Sequence, residues 1–164
     1  MKLSELMTGL TPNPDFEGIA TADDFVLAVD FSGTAAGPKD YIVAQEGITE
    51  HSAGLTAQSG ESNYMRAGQQ TTKTGTQRVL TLNGDVYIGD EFQDAILAHK
   101  LKYGTGNAVI KPYVYFNLLT GKGEKGKISI IVNNDASNGA GSNAGISATL
   151  TGRGVPEEYT YSGA

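Results

Sequence analysis

The chain reads as a mainly β protein, a β-sandwich or barrel with one flanking α-helix at about residues 90–103. Three observations point there. Apolar residues recur at every second position in several short stretches separated by glycine-rich breaks. Only one stretch carries helical periodicity together with helix-end chemistry. Strands and helices do not alternate along the chain, which sets aside a parallel βαβ sheet.

Residues 1–21 hold Gly9, Pro12, Pro14 and Gly18 among scattered apolar residues and read as an N-terminal arm. Such an arm is ordered only where a partner ties it down. In Asp24–Phe31, Phe25, Leu27, Val29 and Phe31 share one face at period two, the mark of a half-buried strand. The Gly33–Pro38 stretch ends it, and Asp40–Gln45 reads as a second strand. Thr76–Leu82 returns to strand pattern, and Asn83-Gly84 is a turn signal. Over Asp90–Tyr103, Asp90, Glu91 and Asp94 crowd the start, Lys100 and Lys102 the end, and Gly104 stands where a capping glycine belongs. Its apolar stripe, made with Phe92, Ala95, Ile96, His99 and Tyr103, suits packing on a sheet. Val109–Leu119 is strand-like, with Pro112 marking an edge or bulge. Lys127–Asn133 and Gly145–Gly152 complete about six strands. The expected organisation is the arm, one domain over 22–156, and an acidic tail over 157–164.

Between Glu46 and Gly75 lie thirty residues rich in Gly, Ser, Thr and Gln with almost no apolar periodicity, which predicts a long loop. Loops of that length in compact domains are usually functional. Its acids, Glu46, Glu50 and Glu61, precede Ser62, whereas Arg66 and Lys73 come after it, with Tyr64 and Met65 as apolar anchors and Arg78 just beyond. The distal half is therefore basic and able to reach a neighbour. The formal net charge of −6 is uneven. Residues 1–50 hold nine acids, among them Asp15, Glu17, Asp23, Asp24, Asp40, Glu46 and Glu50, against two lysines, for −7; the remainder carries +1. Complementary fields of this kind favour and orient the meeting of copies.

Composition excludes several chemistries. With no cysteine, there are no disulfides, thiol nucleophiles or Cys-ligated metals. The longest purely apolar run is Phe25–Val29, against the roughly 20 residues a membrane-spanning helix requires. The acidic balance argues against a surface that grips nucleic acid. Gly121–Gly126 satisfies GxGxxG spacing, but the next residues, Lys127–Asn133, alternate as a strand, and a phosphate cradle needs a helix there. Asn133–Gly139 spaces oxygen ligands as a calcium loop does, yet lacks the sixth-position glycine and the twelfth-position glutamate. His51 and His99 are the only side-chain imidazoles, there is no GxSxG elbow, and the adjacent pairs Asp23-Asp24 and Glu157-Glu158 would point to opposite faces of a strand. No enzyme, cofactor or metal is expected.

The stretches Asn63–Gly68, Thr72–Arg78, Gly84–Ala95 and Tyr113–Gly126 resemble the major tail (tail tube) proteins of long-tailed bacteriophages, over roughly residues 20–158. The resemblance implies a virion protein, made in the host cytoplasm, that assembles as hexameric rings stacked into a hollow tube through which DNA is delivered. Its partners would be copies of itself and other tail proteins, with DNA passing unbound. In that family the long loop and the arm bridge subunits, which suits Tyr64, Met65, Arg66, Lys73 and Arg78 as the reaching side and the acidic first third as the receiving side. An acidic lumen would repel the DNA backbone and let it slide. The rival readings are a tail terminator, a capsid decoration protein, or a carbohydrate-binding β-sandwich, the last disfavoured by the absence of Trp.

Overall fold

The computed structural model describes residues 1–34 and 37–162. Ala35 and Ala36 of the predicted break, and residues 163–164 of the predicted tail, lie outside the described residues. Seven strands are formed among those described: β1 (Phe25–Val29), β2 (Ile42–Val43), β3 (Ile48–Tyr64), β4 (Gly68–Asp85), β5 (Ile110–Asn117), β6 (Lys122–Ser137) and β7 (Gly145–Thr160). They make one sheet in the order β2-β1-β5-β6-β7-β4-β3, antiparallel at every pairing. Three short helices accompany it: α1 (Leu3–Leu6), α2 (Glu91–Ile96) and α3 (His99–Lys102).

The sheet is rolled. His51 on β3 and Tyr115 on β5 are four strands apart, which at about 4.8 Å per strand is roughly 19 Å in a flat sheet. Their rings nevertheless lie 6.0 Å apart, edge to face. Leu27, Val29, Leu80, Leu82, Ile128, Ile130 and Leu150 therefore converge on the concave side, where Phe92, Ile96 and Leu101 of α2 and α3 join them. The alternate residues of β1 and β5, Val26, Ala28, Val114 and Phe116, face the convex side and are covered by Leu3 and Met7 of the N-terminal segment. The mainly β fold expected from the period-two stretches is present as a single curved sheet.

Several elements differ from the sequence reading, each for a local reason. The N-terminal segment is not an extended arm throughout. Leu3 is fully buried, and Leu3 N–H donates to Tyr41 O at 2.9 Å, sealing the outer edge of β2. The predicted single helix is two. Asp90 caps α2 as expected, accepting the Gln93 N–H at 2.9 Å, but the backbone leaves helical geometry at Ala98 and restarts. The restart turns Leu101 inward. His99 and Tyr103, expected on the packing face, are not buried in the core; their rings lie 4.9 Å apart, while Phe92 and Ile96 are buried as expected. Gly104 serves by close approach, since a Cβ there would stand 2.0 Å from Lys100 O. Asn83-Gly84 is no turn but lies within β4. The predicted tail begins inside β7, whose Glu157–Thr160 still pairs with β6.

The largest difference is the predicted loop. Residues 48–85 form one long hairpin, β3 with β4, paired from Ile48–Gly84 out to Tyr64–Gly68. Over its outer part, where neither face is buried, the hairpin has no reason to alternate apolar and polar residues, so the period-two signal is absent there. Its strand preference rests on the threonines at 71, 72, 74 and 76 and on the turn that fixes register.

Candidate functional site: a projecting hairpin and its root

Only the inner part of the hairpin belongs to the sheet. β4 pairs with β7 from Val79–Thr151 to Asp85–Gly145. Beyond the Gly54–Val79 pair, the two strands run on without a third. The stretch of β3 from Leu55 to Tyr64 spans ~33 Å, about twice the ~15 Å radius of gyration of a domain this size. Every residue from Ser52 to Thr74 is exposed. An isolated two-stranded ribbon is at best marginally stable in water. Both of its edges also offer unpaired backbone N–H and C=O groups, a template for pairing with another chain.

At the apex Ala67 N–H donates to Tyr64 O at 3.3 Å, and Arg66 occupies the left-handed region at φ 63°. That conformation favours glycine or asparagine, so an arginine there stores strain of about 1 kcal/mol. Met65 is 93% exposed and Tyr64 56%. Tyr64, Met65 and Arg66 therefore stand together at the tip, Lys73 lies part-way down β4, and Gln69 Nε2 donates to Glu61 Oε2 at 2.6 Å between the strands.

Arg78 does not belong with them. Its Nε and Nη2 donate to the Glu124 carboxylate at 2.6 and 2.9 Å, and Tyr113 Oη donates to the same carboxylate at 2.9 Å. The guanidinium also lies 5.8 Å from the centre of the Tyr115 ring, which stacks on Phe25. These contacts tie Arg78 to Glu124 of the same chain and fasten the base of the ribbon to β6, apart from the exposed candidates Tyr64, Met65, Arg66 and Lys73. Hydrogen bonding to Glu124 raises the Arg78 pKa. Burial, then the bond and charge of Glu124, push the Tyr113 phenol well above its usual range.

The other side of the root is a glycine and glutamine junction that periodicity does not reveal. Gln93 is buried on α2, where its Nε2 donates to Glu46 O at 2.8 Å and Asp85 O at 3.0 Å while its Oε1 accepts Tyr87 N–H at 2.9 Å. Gly47 takes φ 74°, and a Cβ there would meet Asp85 O at 2.5 Å. A Cβ on Gly84 would meet Gly47 O at 2.3 Å. The β2–β3 connection and the end of β4 thus cross at backbone distance, held by Asp85 N–H donating to Gly47 O at 2.7 Å and by the Gln93 side chain. Glycine pairs and a buried glutamine carry this information, but only once the two segments are known to meet.

The acidic first third is spread over several surfaces. Asp15 and Glu17 are exposed beside Phe16 and Ile19, the latter 96% exposed. Asp24 is spent on capping, accepting Thr21 N–H at 2.7 Å. Asp23 lies near His51, whose imidazole burial pushes below its usual range, with Asp23 opposing. Glu46 and Glu50 stand at the hairpin root, Glu50 accepting from Asn83 Nδ2 at 3.5 Å, and Asp40 is half-buried beside β2. Gly121–Gly126 runs into β6, where a Cβ on Gly123 would meet Tyr115 O at 2.1 Å, so close strand packing accounts for a glycine there. Asn133–Ser137 forms the far end of the same strand.

No protein-family model matches the chain, and no curated protein matches it. Solved structures share its fold. A chain from the tail of an empty gene transfer agent particle, obtained by helical refinement with C6 symmetry, superposes with a TM-score of 0.61 at 12% identity, covering 87% of this chain and 100% of that one. A chain of the native gene transfer agent virion gives 0.58 at 9% identity, with 87% and 100% covered. The tube-terminating cap of the anti-feeding prophage gives 0.54 at 13% identity, with 89% and 93% covered. The chain shares the fold of these tail, virion and tube-cap chains, in accord with the resemblance in its sequence.

Proposed function

From that shared fold as premise, we propose that the chain is a tail structural protein whose copies join through the projecting hairpin into hexameric rings, which stack into a tube that conducts DNA. The observation that carries the reading is the ribbon: some twenty exposed residues on two paired strands joined at the apex turn, with both outer backbone edges unpaired. The free edge of β3 in one copy is complementary to the free 68–78 edge of β4 in the next. Repeating that heterologous contact around a ring closes it. Tyr64, Met65 and Arg66 at the tip then reach an acidic surface of a neighbour, and the remaining acids bias the lumen toward negative charge, so that DNA slides without being held.

Electron microscopy of concentrated protein tests the reading. Filaments of uniform bore support a tube protein. Discrete rings that never grow support the second reading, a terminating cap, which the likeness to the anti-feeding prophage cap keeps open. Particles that stay monomeric at every concentration, even with pre-formed tail tips added as nuclei, contradict both.

A further inference from the structure

On the convex face, away from the ribbon's tip, β5, β6 and β7 enclose a groove of about 620 Å³ lined by Ile110, Pro112, Lys125, Lys127, Arg153 and Val155. Its charges are arranged unusually. Lys127 and Arg153 are direct cross-strand partners. Like charges facing each other across a ladder destabilise it. No hydrogen bond or ion pair to either side chain occurs among the described residues, whereas Lys125 has Glu157 at 3.5 Å. The register also shifts between Lys125 and Lys127, and Gly154 takes φ 74°, a bulge that turns the segment carrying Arg153 and Val155. Bulges at sheet rims commonly re-aim side chains in this way. Val155, with an apolar side chain, is 87% exposed at the groove's lip.

We infer that this groove receives the Asp15–Ile19 segment of a second copy, Asp15 and Glu17 pairing with Lys127 and Arg153 while Phe16 and Ile19 cover Ile110, Pro112 and Val155. The inference rests on the self-assembly proposed above and adds a second contact to it. Charge selects the occupant. The hairpin tip carries Arg66 and is repelled. Among the acidic segments, Asp24 is used as a cap and Glu50 bonds Asn83, whereas the side chains of Asp15 and Glu17 are exposed and make no such bond among the described residues. The same segment supplies two exposed apolar side chains to meet an apolar lip, which a phosphate backbone would leave uncovered. In the structure a copy does not fill its own groove: no residue of 15–19 lines it, and Asn13 N–H is held by Leu119 O at 2.7 Å at the β5–β6 turn, with Lys127 five residues along β6 from Lys122, about 17 Å away.

The test is zero-length carbodiimide cross-linking of an equimolar mixture of ¹⁴N- and ¹⁵N-labelled full-length protein, with electron microscopy of the same sample. The expected result is mixed-isotope amide links joining Asp15 or Glu17 to Lys127 or Lys125, reduced several-fold by Arg153→Glu. An assembled sample in which Lys127 links to another acidic segment, or to none, overturns this docking and leaves the tube reading standing. The expected links in dimers that never grow uphold the docking and overturn the tube. A sample with neither links nor assembly overturns both.

Discussion

Gln93→Leu isolates the junction at the hairpin root. The glutamine makes three hydrogen bonds to backbone groups of Glu46, Asp85 and Tyr87, which lie on two segments, from a side chain only 1% exposed. At about 1 kcal/mol net each, their loss costs about 3 kcal/mol. Better burial of the leucine returns about 1 kcal/mol. The net cost of about 2 kcal/mol corresponds, in a domain of this size, to a fall in Tm of roughly 4–8 °C. Thermal unfolding followed by far-UV circular dichroism measures it, on protein kept dilute so that assembly does not raise the apparent Tm. Gln93→Glu adds a second arm. A carboxylate facing the Glu46 and Asp85 carbonyls cannot donate, so the introduced group has a raised pKa in the folded state. Its protonated form is compatible with the fold, and stability is lost as pH rises through that pKa. The variant should therefore sit closer to wild type at pH 4 than at pH 8. A fall below about 1 °C for the leucine variant, or no pH dependence for the glutamate variant, refutes the junction as the support of the hairpin.

Arg78→Met leaves the largely buried Glu124 carboxylate with Tyr113 as its remaining side-chain donor among the described residues and should lower stability by about 2 kcal/mol. Arg66→Glu, at the exposed tip, should leave the Tm within about 1 °C while weakening assembly; equal effects of the two on Tm would refute their assignment to root and tip. Alkaline titration followed by the ultraviolet absorbance of phenolate reads the tyrosines. Burial raises the pKa of Tyr41, Tyr113, Tyr115 and Tyr159, foremost Tyr113. These phenols contribute stability that is fully present below about pH 10 and is lost as pH rises above it toward their folded values. The folded protein should finish titrating at higher pH than the urea-unfolded chain, and coincident curves would contradict the buried placement.

The parts of the fold legible in sequence are those that bury apolar side chains. The period-two reading of β1 finds Leu27 and Val29 on one face, but the strand is buried on both, because Val26 and Ala28 face a second core under the N-terminal segment; Phe92 and Ile96 mark a helix lying on a sheet. The outer part of the hairpin escapes such a reading because solvent surrounds it on both faces, so Ser, Thr and Gln at its positions carry no pattern that distinguishes a strand from a loop. The split between Arg78 and its neighbours at 66 and 73 is equally hidden. It depends on β6 bringing Glu124 beside β4, a pairing set through β7 by tertiary register. His99 and Tyr103 mislead because offsets of seven and eleven from Phe92 presuppose an unbroken helix, which Ala98 interrupts.

Whether the projecting ribbon joins copies through its free edges is read by hydrogen exchange of the 55–77 amides. In the dilute chain these amides should exchange rapidly, as expected of a two-stranded ribbon without packing. In the assembled state they should be strongly protected, including the outward-facing amides that no strand of the same copy can pair. Assemblies in which residues 55–77 exchange as fast as in the free chain would contradict edge-to-edge joining.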